Sequence, residues 1–178
     1  MNTTVIEQKV MPIQLDDVKL FLRVDTNEED SLISTLLAAA ISEAESITHR
    51  HLAQKVIRYV TDDVSTIPLA PCSAVSMTVD GQPVDSSLYD FLPSSMLGGE
   101  PFATCTVKEG FPSGSITVDA TVGYSEIEFP SMIHQWVLGR VSSLYEQRES
   151  FATGTNFHEF GHDFLDALLD PFIIHGGF

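Results

Sequence analysis

The sequence predicts an α+β protein in which an antiparallel β lobe is inserted between the helices of a helical core. Two segments, residues 28–48 and 130–150, place apolar residues on one face at the 3.6-residue period of a helix. Residues 54–124 between them instead alternate apolar and polar residues, with Gly and Pro at the turns. The chain has 178 residues, which suffices for one domain with a substantial core and a small inserted lobe.

Four parts follow from these patterns. Residues 1–12 are polar and end at Pro12, and we expect an arm that is extended or ordered only by a neighbouring molecule. The other predicted parts are the helical core at 13–53 and 125–150, the β lobe at 54–124 and a C-terminal docking segment at 151–178. The core is predicted to contain a short helix, a long helix, a second long helix and a short C-terminal helix.

The first two helices are marked by an apolar face and a capping pattern. Leu15, Val18 and Leu22 form the apolar face of the short helix. Thr26 and Glu29, three residues apart, fit a capping box at the start of the long helix predicted over residues 28–48. The predicted buried stripe of the long helix is Leu32, Ile33, Leu36, Leu37, Ala40, Ile41 and Ala44.

The inserted lobe is predicted to contain roughly four to six antiparallel strands. The clearest are residues 55–64, 74–79 and 115–124, which alternate and are rich in β-branched side chains. Asp80 and Gly81 directly follow the second of these, and this pair is typical of a two-residue hairpin turn.

The second long helix begins at Pro130, a residue that suits the first helical position. Gly139 lies inside this helix, where it lowers helix stability but permits close packing. The predicted buried stripe is Ile133, Trp136, Val137, Val141, Leu144 and Tyr145. A short last helix is predicted to end at Pro171.

The charge of the chain excludes some classes of partner. Nine Lys and Arg against 25 Asp and Glu give a formal net charge of −16, with no basic run to bind nucleic-acid phosphates. No apolar stretch is long enough to span a membrane, and the N-terminus lacks the pattern of a signal peptide. Two cysteines, Cys72 and Cys105, indicate reduced thiols in a protein made in a cytosol.

One short motif suggests a metal. Residues His158-Glu159-Phe160-Gly161-His162 match the pattern by which zinc hydrolases place two His ligands one helical turn apart, beside a catalytic Glu. A catalytic zinc needs a third protein ligand, but the position six residues beyond His162 is Leu168 and no Glu follows. We therefore expect no metal, cofactor or catalytic residue. A zinc metallohydrolase that uses this motif is the alternative function.

Several segments, taken in order, carry a family resemblance. They are LDDVKLFLRVDTNEEDSLISTLLAAAISEAESITHRHL, VIRYV, IPLAP, AVSMTVDGQPV, VDATVGY, FPSMIHQWVLGRVSSLYEQRES and LLDPF. This order, over most of residues 13–173, resembles the head–tail connector (adaptor, or head-completion) proteins of tailed double-stranded DNA phages. One departure is Gln14, which stands where these proteins usually have a Ser or Thr cap before the first helix.

The resemblance implies a non-enzymatic virion protein. Such a protein forms a ring, commonly of about twelve subunits, that docks beneath the portal protein with the tail or stopper protein below. The ring continues the DNA channel, so DNA passes through without specific binding, and no membrane is involved. The implied location is the head–tail junction of the virion, after synthesis in the host bacterial cytoplasm. Another neck component, a stopper or tail-completion protein, is a further alternative.

The C-terminal segment is the predicted portal-docking element, because adaptors of this family grip the portal with terminal segments. Its apolar residues are Phe164, Leu165, Leu168, Leu169, Phe172 and Ile173. The alternative is that these residues pack on the protein's own core.

Overall fold

The computed structural model describes residues 3–94, 101–125, 128–150 and 165–175. The chain divides into two compact units. The β unit comprises Met1–Pro12 and Arg50–Glu128, and the helical unit comprises Ile13–His49 and Phe129–Phe178. Helices and antiparallel sheets in these units confirm the predicted α+β class.

The helical unit is built from three α-helices within the described residues. They are α1 (Leu15–Leu22), α2 (Asp30–Thr48) and α3 (Ser131–Ser150). Of the predicted C-terminal helix, the described residues 165–166 are helical, and a 3-10 turn spans Asp170–Phe172.

The start of α2 differs from the prediction. The helix begins at Asp30, two residues later than predicted, and Glu29 at its N-cap makes no side-chain capping bond. The Glu29 carboxylate instead accepts a hydrogen bond from the Tyr145 hydroxyl of α3. The buried Lys19 ammonium contacts Asn27 Oδ1 at 2.6 Å and Asp30 Oδ1 at 2.7 Å, which satisfies its charge. The predicted capping box was therefore wrong, because Glu29 occupies the N-cap position and Thr26 lies before the helix.

The interior of the helical unit lies between α2 and α3. Of the predicted stripes, the buried residues are Ile33, Leu37, Ala40, Ile41, Ala44, Ile133, Trp136, Val137 and Val141. Leu32, Leu36, Leu144 and Tyr145 are half-buried. An ion pair between Arg140 Nε and Glu43 Oε2, 2.7 Å apart, joins the two helices beside this interior.

The β unit contains two antiparallel sheets. Its strands are β1 (Thr3–Val10), β2 (Gln54–Thr61), β3 (Thr66–Ile67), β4 (Cys72–Val79), β5 (Gln82–Pro83), β6 (Tyr89–Leu92), β7 (Ala103–Val107) and β8 (Ile116–Val122). In the described residues the first sheet has the order β1-β2-β8-β4-β5 and the second the order β3-β7-β6. A 3-10 turn at Ser86–Leu88 precedes β6.

Alternation and turn chemistry account for the central strands. On β8 every second residue is buried: Ile116, Val118, Ala120 and Val122. The predicted hairpin is confirmed, since Asp80 and Gly81 have φ values of 49° and 80° and connect β4 to β5. β1, which pairs antiparallel with β2, covers most of the predicted arm.

Candidate functional site

The C-terminal segment, residues 165–175, packs within the helical unit. Leu169 is 0% exposed and Phe172 is 7% exposed. The backbone N–H of Ile174 donates to the carbonyl of Thr48 at 3.1 Å. Thr48 is the last residue of α2, and a carbonyl there has no partner within its own helix. The segment thus supplies a hydrogen bond that the end of α2 needs.

Two contacts with α3 hold the beginning of the same segment. The indole N–H of Trp136 donates to Asp166 Oδ1 at 3.0 Å. Gly139 faces Leu165 so closely that a Cβ at position 139 would lie 3.1 Å from Leu165 Cδ2. The glycine in α3 therefore permits the close packing that the sequence predicted.

The predicted docking residues differ in burial. Leu169 and Phe172 are buried, whereas Leu165, Leu168 and Ile173 are half-buried. Phe164 lies outside the described residues. The portal-docking role stays a prediction. Only the half-buried side chains among these described residues have accessible surface that a partner could contact.

A second surface lies at the C-terminal end of α1. We call Leu20, Phe21 and Arg23 the α1 tip. Leu20 is 79% exposed and Phe21 is 41% exposed, although Val18 one turn earlier is fully buried. Arg23 is also exposed and ends the helix in the left-handed conformation, with φ 58°. The prediction treated α1 by its buried face alone. The adjacent pair Leu20-Phe21, off that face, was the signal for this surface.

Four described cations are paired with carboxylates of the same chain. Lys19 contacts Asp30, Arg140 contacts Glu43, Lys108 contacts Asp90 at 2.6 Å, and Arg58 holds both oxygens of Asp119 at 2.6 and 2.7 Å. Pairing neutralises these cations within the chain, and the chain keeps a net charge of −16. No basic patch for nucleic acid is found in the described part of the chain.

The two cysteines and Tyr59 lie in the interior of the β unit. Cys72 and Cys105 are free but buried, and burial raises the pKa of Cys72 to about 12, so its thiol is not a nucleophile near neutral pH. Burial also raises the pKa of the Tyr59 hydroxyl. Across the described ranges, no three His, Cys, Asp or Glu side chains come together to hold a metal. The motif His158-Glu159-Phe160-Gly161-His162 lies outside those ranges.

A groove of 680 Å³ in the β unit is lined by loop residues that include Asp62, Asp63 and Lys108. Asp63 accepts hydrogen bonds from the backbone N–H and hydroxyl of Ser65, which lower its pKa. This carboxylate stabilises a turn and is a poor base near neutral pH.

No helix in the described part of the chain is long and apolar enough to cross a membrane.

Part of the chain matches a known protein family. Residues 12–79 match the family model of the phage gp6-like head-tail connector proteins. This stretch contains α1, α2, β2, β3 and β4. The match confirms the connector resemblance found in the sequence. No curated protein matches the chain.

Solved structures of similar fold cover almost the whole chain. A chain from the neck of an empty gene transfer agent (GTA) particle, computed with C6 symmetry, has a TM-score of 0.72 at 20% identity, over 100% of this chain and 98% of that one. A chain from the virion of a native GTA particle gives 0.71 at 21% identity, with coverages of 100% and 98%. A chain from the neck of a native GTA particle, computed with C12 symmetry, gives 0.63 at 20% identity, with both coverages 97%.

Proposed function

We propose that this protein is a non-enzymatic virion structural protein, a ring-forming head–tail connector that joins the portal to the tail and continues the DNA channel. The observation that carries the proposal is the full-length similarity in fold to chains from GTA necks and virions. The connector-family match over residues 12–79 supports the same assignment independently. Its place would be the head–tail junction of the virion.

The charge distribution suits a DNA conduit. Each subunit carries a net charge of −16, and four of its nine Lys and Arg side chains pair with carboxylates of the same chain within the described residues. A ring of such subunits presents a wall that repels phosphate, so DNA slides through without being held.

We infer that the portal binds the C-terminal segment on its half-buried side. Leu169 and Phe172 hold the segment on the helical unit, and Leu168 and Ile173 then contribute apolar surface to the partner. The tail or stopper protein binds the other side of the ring.

Electron microscopy of the purified protein with and without the portal of its own virus tests this function. We expect rings with a central hole seated on the portal. Leu168→Ser combined with Ile173→Ser should reduce co-purification with portal, while Ala167→Ser at the exposed neighbouring position should not. Portal complexes that contain the protein only as single subunits would contradict the connector assignment.

The charge also predicts how rings respond to salt. Closing a ring brings many like charges together, so we expect weak assembly of the isolated protein at low ionic strength. Salt screens this repulsion and should favour rings. Mass photometry across a salt series measures the effect, and rings that dissociate as salt rises through the physiological range would argue against it.

A further inference from the structure

We infer that the α1 tip is a contact surface for a second copy of this protein, with Arg23 paired to a carboxylate of that copy. The inference rests on the proposed ring and names a surface that holds neighbouring subunits together.

The apolar side chains of the α1 tip are exposed. Leu20 and Phe21 are adjacent large apolar residues on the surface, 79% and 41% exposed. Single exposed apolar residues are common, but here two are adjacent, and phenylalanine and arginine are both enriched at protein interfaces. Burying this pair against another subunit removes apolar surface from water, which favours association.

The backbone at Arg23 is the second observation. Its N–H donates to the carbonyl of Leu20 at 3.2 Å, and the N–H of Val24 donates to the carbonyl of Lys19 at 3.0 Å. These bonds close the end of α1 with Arg23 at φ 58°, a conformation that glycine adopts most easily because a Cβ crowds the backbone there. An arginine at this position is less favourable than a glycine, so Arg23→Gly can remove the charge without weakening the fold.

Charge identifies the partner. Lys19, Arg58, Lys108 and Arg140 each reach a carboxylate of their own chain, but Arg23 forms no ion pair with any described residue. A polyanion such as DNA is a poor partner for the single Arg23 charge, because Asp16 and Asp17 precede it on the same helix and the whole chain is strongly acidic. A second copy, at −16, surrounds Arg23 with carboxylates. Like-charged subunits need such local attraction where they meet.

Variants at position 23 separate folding from assembly. Arg23→Gly removes the charge and also relieves the backbone, so its melting temperature should equal or exceed that of the wild type. Its self-association should weaken by about tenfold, as for removal of an interface arginine. Arg23→Glu should weaken association further, and Arg23→Lys should weaken it less than Arg23→Gly does.

Controls are available elsewhere on the surface. Lys108→Glu makes the same change in net charge as Arg23→Glu, but Lys108 is exposed in the β unit and paired with Asp90. Leu20→Ser removes one apolar side chain of the α1 tip and should also weaken association. Its control is Leu92→Ser, because Leu92 is similarly exposed, at 67%. Sedimentation velocity at high protein concentration and at raised salt should show weaker association for the α1-tip variants, and wild-type behaviour for both controls.

The outcomes distinguish this surface from the proposed function. Wild-type protein that stays monomeric both alone and on purified portal would refute the ring itself. If wild-type rings form and Arg23→Gly and Arg23→Glu assemble equally well, only the α1-tip contact is refuted. Arginine variants that assemble normally but lose portal binding would assign the α1 tip to the portal and overturn the second copy as its partner. A photo-crosslinking side chain in place of Phe21 should yield covalent dimers of this chain.

Discussion

The two ends of the described chain are held by different forces. β1, at the N-terminal end, pairs antiparallel with β2 through its backbone, while its side chains from Thr3 to Gln8 are all exposed. The C-terminal segment makes few backbone hydrogen bonds outside itself but buries Leu169, Phe172 and Ile174. The N-terminal end is therefore ordered by backbone pairing with one strand, and the C-terminal end by side-chain packing.

The C-terminal end stabilises its unit more than the N-terminal end does. From Thr3 to Gln8, β1 adds no buried side chain and so contributes little hydrophobic free energy, although its backbone pairs with β2. A segment that fills an interior contributes through every buried methylene group. Both ends were expected to depend on neighbouring molecules, yet the C-terminal end has apolar contacts within its own unit. The following four predictions test this contrast, from the largest expected effect to the smallest.

Leu169→Ala should lower the free energy of unfolding by about 2–5 kcal/mol, because removing a fully buried leucine side chain leaves a cavity. The matched change Leu20→Ala, at a largely exposed leucine, should stay within about 0.5 kcal/mol. Urea denaturation followed by the fluorescence of Trp136, the single tryptophan, measures both. Equal stabilities for the two variants would show that the C-terminal segment does not belong to the core.

Asp166→Ala should lower the free energy of unfolding by about 1–3 kcal/mol, since the buried indole N–H of Trp136 loses its acceptor. Asp166→Asn should cost less, because the amide oxygen can still accept this bond. Comparison of the two variants by thermal unfolding separates loss of the acceptor from loss of the charge. An alanine variant as stable as the asparagine variant would mean that the hydrogen bond contributes nothing.

Deleting residues 1–10 should cost only about 1 kcal/mol, or ~2–4 °C in melting temperature, because β1 buries no side chain between Thr3 and Gln8. Hydrogen exchange sharpens this test. Amides of β1 should exchange much faster than those of β8, which lies between β2 and β4 and has a buried face. Equal protection of the amides in β1 and β8 would show that β1 is held as firmly as the centre of the sheet and would contradict this prediction.

Gly139→Ala should change the free energy of unfolding by less than about 1 kcal/mol, because two effects oppose each other. Alanine favours the helix, but its Cβ lies 3.1 Å from Leu165 Cδ2, and that flexible side chain must shift. In a Leu165→Ala background the same change should become stabilising by about 1 kcal/mol. A double-mutant cycle measures the coupling, and a cycle without coupling would deny the contact between Gly139 and the C-terminal segment.

Local patterns in the sequence determined much of the fold. The stripes on α2 and α3, the alternation of β8 and the Asp80-Gly81 hairpin follow from periodicity and turn chemistry over a few residues. The connector resemblance also came from the order of such segments, and the match over residues 12–79 confirms it. These features need no knowledge of distant partners, and a single sequence displays them.

Tertiary structure decided the rest. Glu29 fits a capping box by sequence, but Tyr145, 116 residues away, takes its carboxylate, and α2 starts later. β1 lacks a strong strand pattern, and β2 orders it. The same kind of apolar residue is buried at Leu169 and exposed at Leu20, although both belong to the helical unit. Periodicity shows which apolar side chains share one face of a helix or strand. Whether that face is buried depends on which distant segment packs against it, and the packing free energy of the whole chain sets that.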